Sequence, residues 1–391
     1  MSATVPSAIE IAQRLIACPS VTPAEGGALR YLRGLFAEAG FAAEIVSFES
    51  PGAEKVDNLY ARAGRSPPYL IFAGHTDVTP PGDVAQWRFP PFSAKIADGM
   101  IWGRGACDMK GGLAAAVASA LRYVGRGVPL KGSIGFLVTG DEEGPAVNGT
   151  VKLVEWALAQ GERFDHCVLG EPTSRERLGD TIKHGRRGSL TGRLTLFGKQ
   201  GHVAYPHLAE NPLRALAPVL EALTTPPLDA GTPDFEPSNL EPTTIDVRND
   251  AANVIPGRAR LVFNIRFNDL WTPQTLTAEI GQRIARAARG ARYELSFDPS
   301  NASAFLTAPG PFTELVAEAA RDIVGLRPAL STNGGTSDAR FIKSACPVVE
   351  LGLVGETMHA IDERAAIVDI EALSRIYERV IERYFASPPS S

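Results

Sequence analysis

Three short apolar runs in this chain end abruptly in acid or imidazole: "PYLIFAGHTDV", "FLVTGDEEG" and "HCVLGEP". Each reads as a short buried strand. Helical periodicity appears near 7–17 and near 25–39, where Gly40 follows as a stop. "GLAAAVASALRYV" is a small-residue helix suited to packing on a sheet, and another helix is expected near 149–160. "AAEIVSFE" and "NLYARAG" add strands ahead of these. Strands alternating with helices predict an α/β fold with a largely parallel core.

The pattern changes after about residue 186. "GSLTGRLTLFG" alternates, as a strand with one wet face does. A helix near 211–223 follows, then the Pro-rich "TTPPLDAGTPDFEPSNLEP", read as a long loop. "TTIDVRN" and "ARLVFNIRF", a helix near 273–288 and "ARYELSF" complete a β-α-β-β-α-β order, the ferredoxin-like split unit. From about 305 the earlier style returns, with helices at 311–324, 337–344 and 368–386 around the strand "PVVELGL". The expected organisation is a catalytic domain over 1–187 and 303–391, interrupted by an α+β insert over 188–302.

A chain of 391 residues, 44% hydrophobic, is ample for two domains. The net charge of −5 gives no electrostatic case for nucleic acid or an anionic membrane surface. No uncharged stretch is long enough to cross a bilayer. "MSATVPSAIEIAQRLIACPSV" reads as a cap and an amphipathic helix, not a signal peptide. Cys18, Cys107, Cys167 and Cys346 form no CxxC pair and read as reduced, mostly buried thiols. Cytoplasm is the default location.

The acids and histidines gather at strand ends. His75 and Asp77 close one strand, Glu142 and Glu143 another, and Glu171 a third. Asp108 opens the "MKGG" helix, and His359 follows the strand near 347–353. In open α/β sheets the carboxyl ends of strands line the ligand crevice. Clustered carboxylates repel one another, and either water or a cation must compensate. Taken singly, each acid is a solvated loop residue or a cap, and Asp108 could be the N-cap of its helix. Taken together, imidazole and carboxylate without thiolate suit zinc and related ions, and two ions sharing a carboxylate would use all the acids. Asp77 is placed to hydrogen-bond the His75 ring and fix its tautomer. Asp141 reads as exposed or structural. Ser337 and Asp338 read as caps of the 337–344 helix.

"FAGHTDVTPPGD", "WGRGACDMKGG", "TGDEEG", "GEPT", "GHVAYPHLAENP", "NVIPG", "NGGTSDARF" and "MHAIDE" occur in that order. Together they resemble the di-zinc aminoacylase and carboxypeptidase superfamily, over essentially the whole chain. The resemblance implies one zinc held by His75 and Glu171, another by Glu143 and His359, and Asp108 bridging them. Cobalt is a possible occupant of one site. It implies a cis peptide at Asp108–Met109 and Glu142 as general base. It makes the insert a dimerisation domain, with His202 reaching the partner's site to stabilise the oxyanion. Within the superfamily the motifs sit nearest the branch that cleaves N-succinyl-LL-2,6-diaminopimelate. Arg186, Ser189, Tyr205, Asn253, Arg266, Gly335 and Thr336 match that branch's substrate-contacting positions. Arg186 and Arg187 are neighbours between which the sequence does not choose. Arg187 and Arg193 otherwise read as solvated. His166, His184 and His207 read as structural or solvent-facing, and Cys107 as packing. Another acyl-amino-acid hydrolase, such as an acetylornithine deacetylase, is the near alternative. A non-catalytic metal-binding dimer is the distant one.

Overall fold

The computed structural model describes residues 5–389. The expected domain limits at residues 1 and 391 therefore lie outside the described residues, as do the first four residues of the N-terminal stretch. Two compact units form. The larger comprises the chain up to His184, Thr307–Ser331 and the residues from Ser337 on; the smaller comprises Gly185–Leu306 and Thr332–Thr336.

The larger unit is built on an eight-stranded sheet. Its order is Ala42–Ser50, Ala53–Ala63, Ser133–Thr139, Tyr69–His75, His166–Leu169, Val348–Glu350, Thr181–Lys183, Ala329–Ser331. Tyr69–His75 runs parallel to both its neighbours, and Val348–Glu350 runs parallel to His166–Leu169. These central strands are buried along their whole length. That burial explains the unbroken apolar runs, because helices cover a parallel core on both faces. The helices Gly111–Gly125 and Ile367–Ala386 pack together on this core. The helix Ala8–Ile16 starts at a capping box, in which Ser7 Oγ accepts the Glu10 amide at 3.2 Å and the Glu10 carboxylate accepts the Ser7 amide at 2.7 Å. Its Ala8, Ile11, Ala12 and Leu15 face inward. A small three-stranded sheet, Lys95–Ala97, Met100–Trp102 and Arg364–Ala366, pairs Arg364 with Trp102. Among the described residues no helix is long and apolar enough to cross a membrane. All four cysteines are free.

The smaller unit is a four-stranded antiparallel sheet ordered Asn239–Asp246, Arg258–Phe267, Gly188–Phe197, Arg292–Phe297. With helices Leu213–Thr224 and Pro273–Ala287 it is the split β-α-β-β-α-β unit. Leu190, Leu194 and Leu196 point to its core while Arg193 between them is exposed, which is the alternation the sequence displays. The Pro-rich stretch is shorter as a loop than its composition suggests. Its last four residues, Asn239 to Pro242, already belong to the edge strand. Pro242 is tolerated there because the register shifts between Pro242 and Thr244, and an edge strand spares an amide donor.

Candidate metal centre

Strand register gathers the candidate residues of the larger unit. His75 sits opposite Thr139, and Ala73 opposite Leu169. Three strands therefore end at one level, and the next residues of each chain segment meet there. Glu142 and Glu143 follow the Thr139 strand, and Glu171 follows the Leu169 strand. Asp108 arrives from the tight turn Ala106–Lys110, where its φ of −121° and ψ of 98° break the helical path. The helix proper begins at Gly111, so Asp108 neither opens it nor caps it. Its peptide bond to Met109 is cis.

The Asp108 carboxylate lies between two imidazoles. Its Oδ1 is 3.2 Å from His75 Nε2 and its Oδ2 is 3.4 Å from His359 Nε2. Each imidazole has a second carboxylate of its own. Glu171 Oε1 is 3.7 Å from His75 Nε2, and Glu143 Oε1 is 2.8 Å from His359 Nε2. The donor atoms of His75, Asp108 and Glu171 all lie within 4.8 Å of one another, as do those of Asp108, Glu143 and His359. Glu142 lies beside both groups, within the same distance of His75 and Glu143.

Asp77 holds this arrangement in a way that differs from the sequence expectation. The His75 ring is fixed by the Asp77 backbone carbonyl, 2.8 Å from Nδ1, while the carboxylate Oδ1 stands 3.7 Å away. The Asp77 carboxylate instead accepts the amides of Glu142 at 3.2 Å and Glu143 at 3.0 Å. Completely buried, it sets the path of the loop that carries both acids. Asp141 is not exposed. Its Oδ2 accepts the amides of Val147 and Asn148 at 2.9 and 3.0 Å, which closes the same loop.

The anions dominate the electrostatics. Burial alone would push the His75 imidazolium down, but Asp108, Glu171, Asp77 and Glu142 carry it well above its ordinary value. His359 is pushed up to about 10 by its hydrogen bonds to Asp108 and Glu143. Burial pushes Asp77 up to about 6 against the pull of His75 and the two amides. Burial and the adjacent Glu171 push Glu142 well above the carboxylate range. Against its own burial, Asp108 is held below that range by His359 and His75. The pocket thus demands positive charge, which protons on imidazole meet only in part. The residues fit a pair of divalent ions. Two oxygens of one aspartate face two different His/Glu pairs, and three ligand carboxylates plus Glu142 match the charge of two dications. Cys107 stays outside the cluster, with Sγ 3.4 Å from Glu363 Oε1.

A profile described as peptidase family M20/M25/M40 matches residues 71–383. The chain belongs to this family. A curated relative from Methylobacterium nodulans, named succinyl-diaminopimelate desuccinylase, is 60% identical over 97% of this chain and 96% of its own. The crystal structure of an M20 family metallo-carboxypeptidase, Sso-CP2 from Sulfolobus solfataricus, superposes with a TM-score of 0.78. It covers 98% of this chain and 100% of its own at 18% identity. The YXEP protein of Bacillus subtilis, titled a dinuclear metal binding peptidase of the M20 family, superposes with a TM-score of 0.70 at 17% identity, covering 96% of both chains. These structures share the fold of this M20 hydrolase.

The candidate substrate-contacting residues of this M20 chain, with His202, belong to the smaller unit and form two groups. Ser189 pairs in register with Arg266, and Arg186 Nη1 donates to the Gly335 carbonyl at 3.0 Å. Thr336 follows Gly335 in the short segment that joins this unit. Arg266 is pulled below its usual value by burial and by the charge of Arg187. Arg187 is not simply solvated, since its Nη1 donates to Asn239 Oδ1 at 2.9 Å. Arg193 forms an exposed ion pair with Asp298 at 2.7 Å. In the second group His202 and Tyr205 have ring centroids 5.7 Å apart, and Val203's amide donates to the Asn253 carbonyl at 3.0 Å. The Ala204 amide donates to His202 Nδ1 at 3.0 Å, which leaves the proton of the neutral ring on Nε2.

His166 is buried against Tyr384, with Nδ1 3.0 Å from its hydroxyl, and His184 Nδ1 is 3.0 Å from the Thr307 carbonyl. His207 is exposed. Asp338 makes no side-chain cap bond to the short helix Ala339–Ile342, and Ser337 Oγ donates to Glu350 Oε1 at 2.5 Å. Both side chains are buried and turned inward, so neither is free to cap. Sequence reading gave no role to Arg104 and Glu363, which lie beside the centre. Both stand inside quoted motifs, "WGRGAC" and "MHAIDE", so position near a ligand was the available signal.

Proposed function

We infer that this chain hydrolyses N-succinyl-LL-2,6-diaminopimelate to succinate and LL-2,6-diaminopimelate, a step of diaminopimelate and lysine biosynthesis. The substrate assignment is supported by the full-length likeness to curated relatives carrying that name. The chemistry is supported by one observation above the others, the Asp108 carboxylate shared between two His/carboxylate pairs.

His75 and Glu171 would hold one divalent ion and Glu143 and His359 the other, with Asp108 shared between them. Zinc is the proposed metal, with cobalt as an alternative at one position. When bound, the pair supplies Lewis acidity toward the amide carbonyl and acidifies an attacking water. Glu142 is the acid left without a ligand role. Its carboxylate takes the proton of the attacking water and delivers it to the amide nitrogen as the C–N bond breaks. Dications beside it would keep Glu142 ionised at rest, ready to act as a base. His202, with Nε2–H free, donates to the oxyanion in a homodimer built through the smaller unit. Arg186, Arg266, Ser189, Tyr205, Asn253, Gly335 and Thr336 receive the substrate's carboxylates and polar groups. The crowding of Arg187 and Arg266 makes an anion welcome there. The proposed setting is the cytoplasm.

Purified protein is expected to bind two zinc equivalents per chain and to release succinate faster than it cleaves acetylornithine. Glu142→Gln is expected to keep both metals and lose turnover by a factor of about 10²–10⁴. Full activity in that variant would remove the mechanism, and faster cleavage of acetylornithine would move the substrate to the near alternative.

A further inference from the structure

Glu363 and Arg104 form a buried ion pair, Oε2 to Nη1 at 2.7 Å, with both side chains almost wholly out of solvent. A buried pair is costly to desolvate, and hydrophobic residues of similar size often serve stability as well or better. Its retention beside a metal centre therefore calls for a local reason, and the bonding supplies one.

The Glu363 carboxylate accepts three amides of a single turn. Gly105 donates to Oε2 at 3.0 Å, while Cys107 and Asp108 donate to Oε1 at 3.1 and 3.2 Å. These amides belong to the turn that bends Asp108 out of helical geometry and toward both imidazoles. The two Nη groups of Arg104 also reach two other segments. Nη1 reaches the Ala360 carbonyl at 3.2 Å, and Nη2 reaches the carbonyls of His359 at 3.3 Å and Pro80 at 3.4 Å. The guanidinium also lies 5.3 Å from the Trp87 ring centroid. Two side chains thus tie together the Asp108 turn, the His359 loop and the segment that follows Asp77. Strand pairing of Arg364 with Trp102 brings Glu363 over that turn in the first place.

We propose that Glu363, braced by Arg104, is a positioning residue of the metal centre: it fixes the Asp108 backbone so that one carboxylate faces both His/Glu pairs. The role acts through Asp108 and His359, since neither Glu363 nor Arg104 is among the clustered ligands. The inference rests on the two-ion reading above.

Glutamine cannot replace this carboxylate. Turned one way, its amide nitrogen meets Arg104 and the Gly105 N–H; turned the other way, it meets two amide N–H groups. Lysine cannot replace Arg104, because one ammonium does not span Glu363 and three carbonyls. Full-length Glu363→Gln and Arg104→Lys would be compared with wild type and with Glu162→Gln, which breaks the ion pair between Arg62 and Glu162 in the same unit. Zinc affinity would be read by chelator competition, the cobalt-loaded forms by their d–d absorption spectra, and turnover as kcat and KM.

Glu363→Gln is expected to weaken zinc binding by about 10–100-fold, the range for groups that orient metal ligands. It should alter the cobalt spectrum and lower kcat with KM within about threefold. Arg104→Lys is expected to show the same pattern to a smaller degree, and Glu162→Gln none of it. Should Glu363→Gln fail to fold, Arg104→Lys carries the test alone. Wild-type zinc affinity and an unaltered cobalt spectrum in whichever variants fold overturn the proposal, even if thermal stability falls. A wild-type protein that binds zinc but releases no succinate would refute the substrate reading instead, and the zinc and cobalt measurements would still decide this one.

Discussion

His359 shows how one side chain couples protons to metal. Without a cation its proton is held by Asp108 and Glu143, and its folded value stands near 10 against an ordinary value of about 6.5. A folded value above the unfolded one means that this contribution to stability is complete below about pH 6.5 and is lost as pH rises through about 10. Urea midpoints of chelator-treated wild type should therefore fall over that window relative to His359→Gln. A constant difference between the two would contradict the ion pairing. Metal loading requires the same proton to leave, so apparent zinc affinity should rise with pH across the window. At this scale the sequence showed which residue types could bind a cation. It did not show which atom of Asp77 holds His75. The choice of carbonyl over carboxylate depends on sub-ångström placement, and spacing along the chain does not carry it.

At the scale of elements, the site depends on how closely the helix Gly111–Gly125 approaches the end of the Leu169 strand. A Cβ at Gly112 would stand 2.4 Å from the Gly170 carbonyl oxygen, and one at Gly352 would stand 2.2 Å from that of Glu171. Both obstacles are backbone and cannot rotate away. Gly112→Ala is expected to cost about 1–3 kcal/mol, as overpacking does, and to weaken zinc binding at the proposed His75/Glu171 position by displacing the strand end. Thermal unfolding of the apo and zinc-loaded forms would check both halves; an unshifted apo midpoint would contradict the first. Strand ends were legible in the sequence because the runs of apolar residues stop at them. The Ala106–Lys110 turn was not, since "ACDMKGG" also fits a helix start, and only the geometry around Met109 separates the two.

At the scale of the molecule, the two units hold their acids differently. The larger one gathers carboxylates around the candidate metal centre. In the smaller one the half-buried Asp229 is well bonded: it accepts the Gly231 and Ser238 amides at 2.8 and 3.1 Å, Asn268 Nδ2 at 2.7 Å and Trp271 Nε1 at 2.8 Å. Burial raises its proton affinity, but these bonds outweigh burial and hold the carboxyl below its usual range. A depressed folded value gives stability that is present above about pH 3.9 and is lost as pH falls through the folded value. Asp229→Asn is expected to cost about 1–3 kcal/mol near neutrality, with the gap to wild type narrowing below pH 4. Urea unfolding at pH 3 and pH 7 would show it, and an equal gap at both would refute it.

The sequence by itself determined the order of the main helices and longer strands, the split unit, and the set of acids and imidazoles at strand ends, while the three-residue strands such as Thr181–Lys183 and Ala329–Ser331 escaped it. Periodicity and apolar run length fix which faces are buried, and burial selects the layers. Tertiary structure alone decided which oxygen each buried donor meets. It placed Glu363 against amides more than 250 positions away in the chain, turned Asp77 toward Glu142 and Glu143, and left Asp338 at its helix N-cap without a side-chain capping bond. Hydrogen bonds are short and directional, so their partners are set by register and chain closure, and local sequence carries neither.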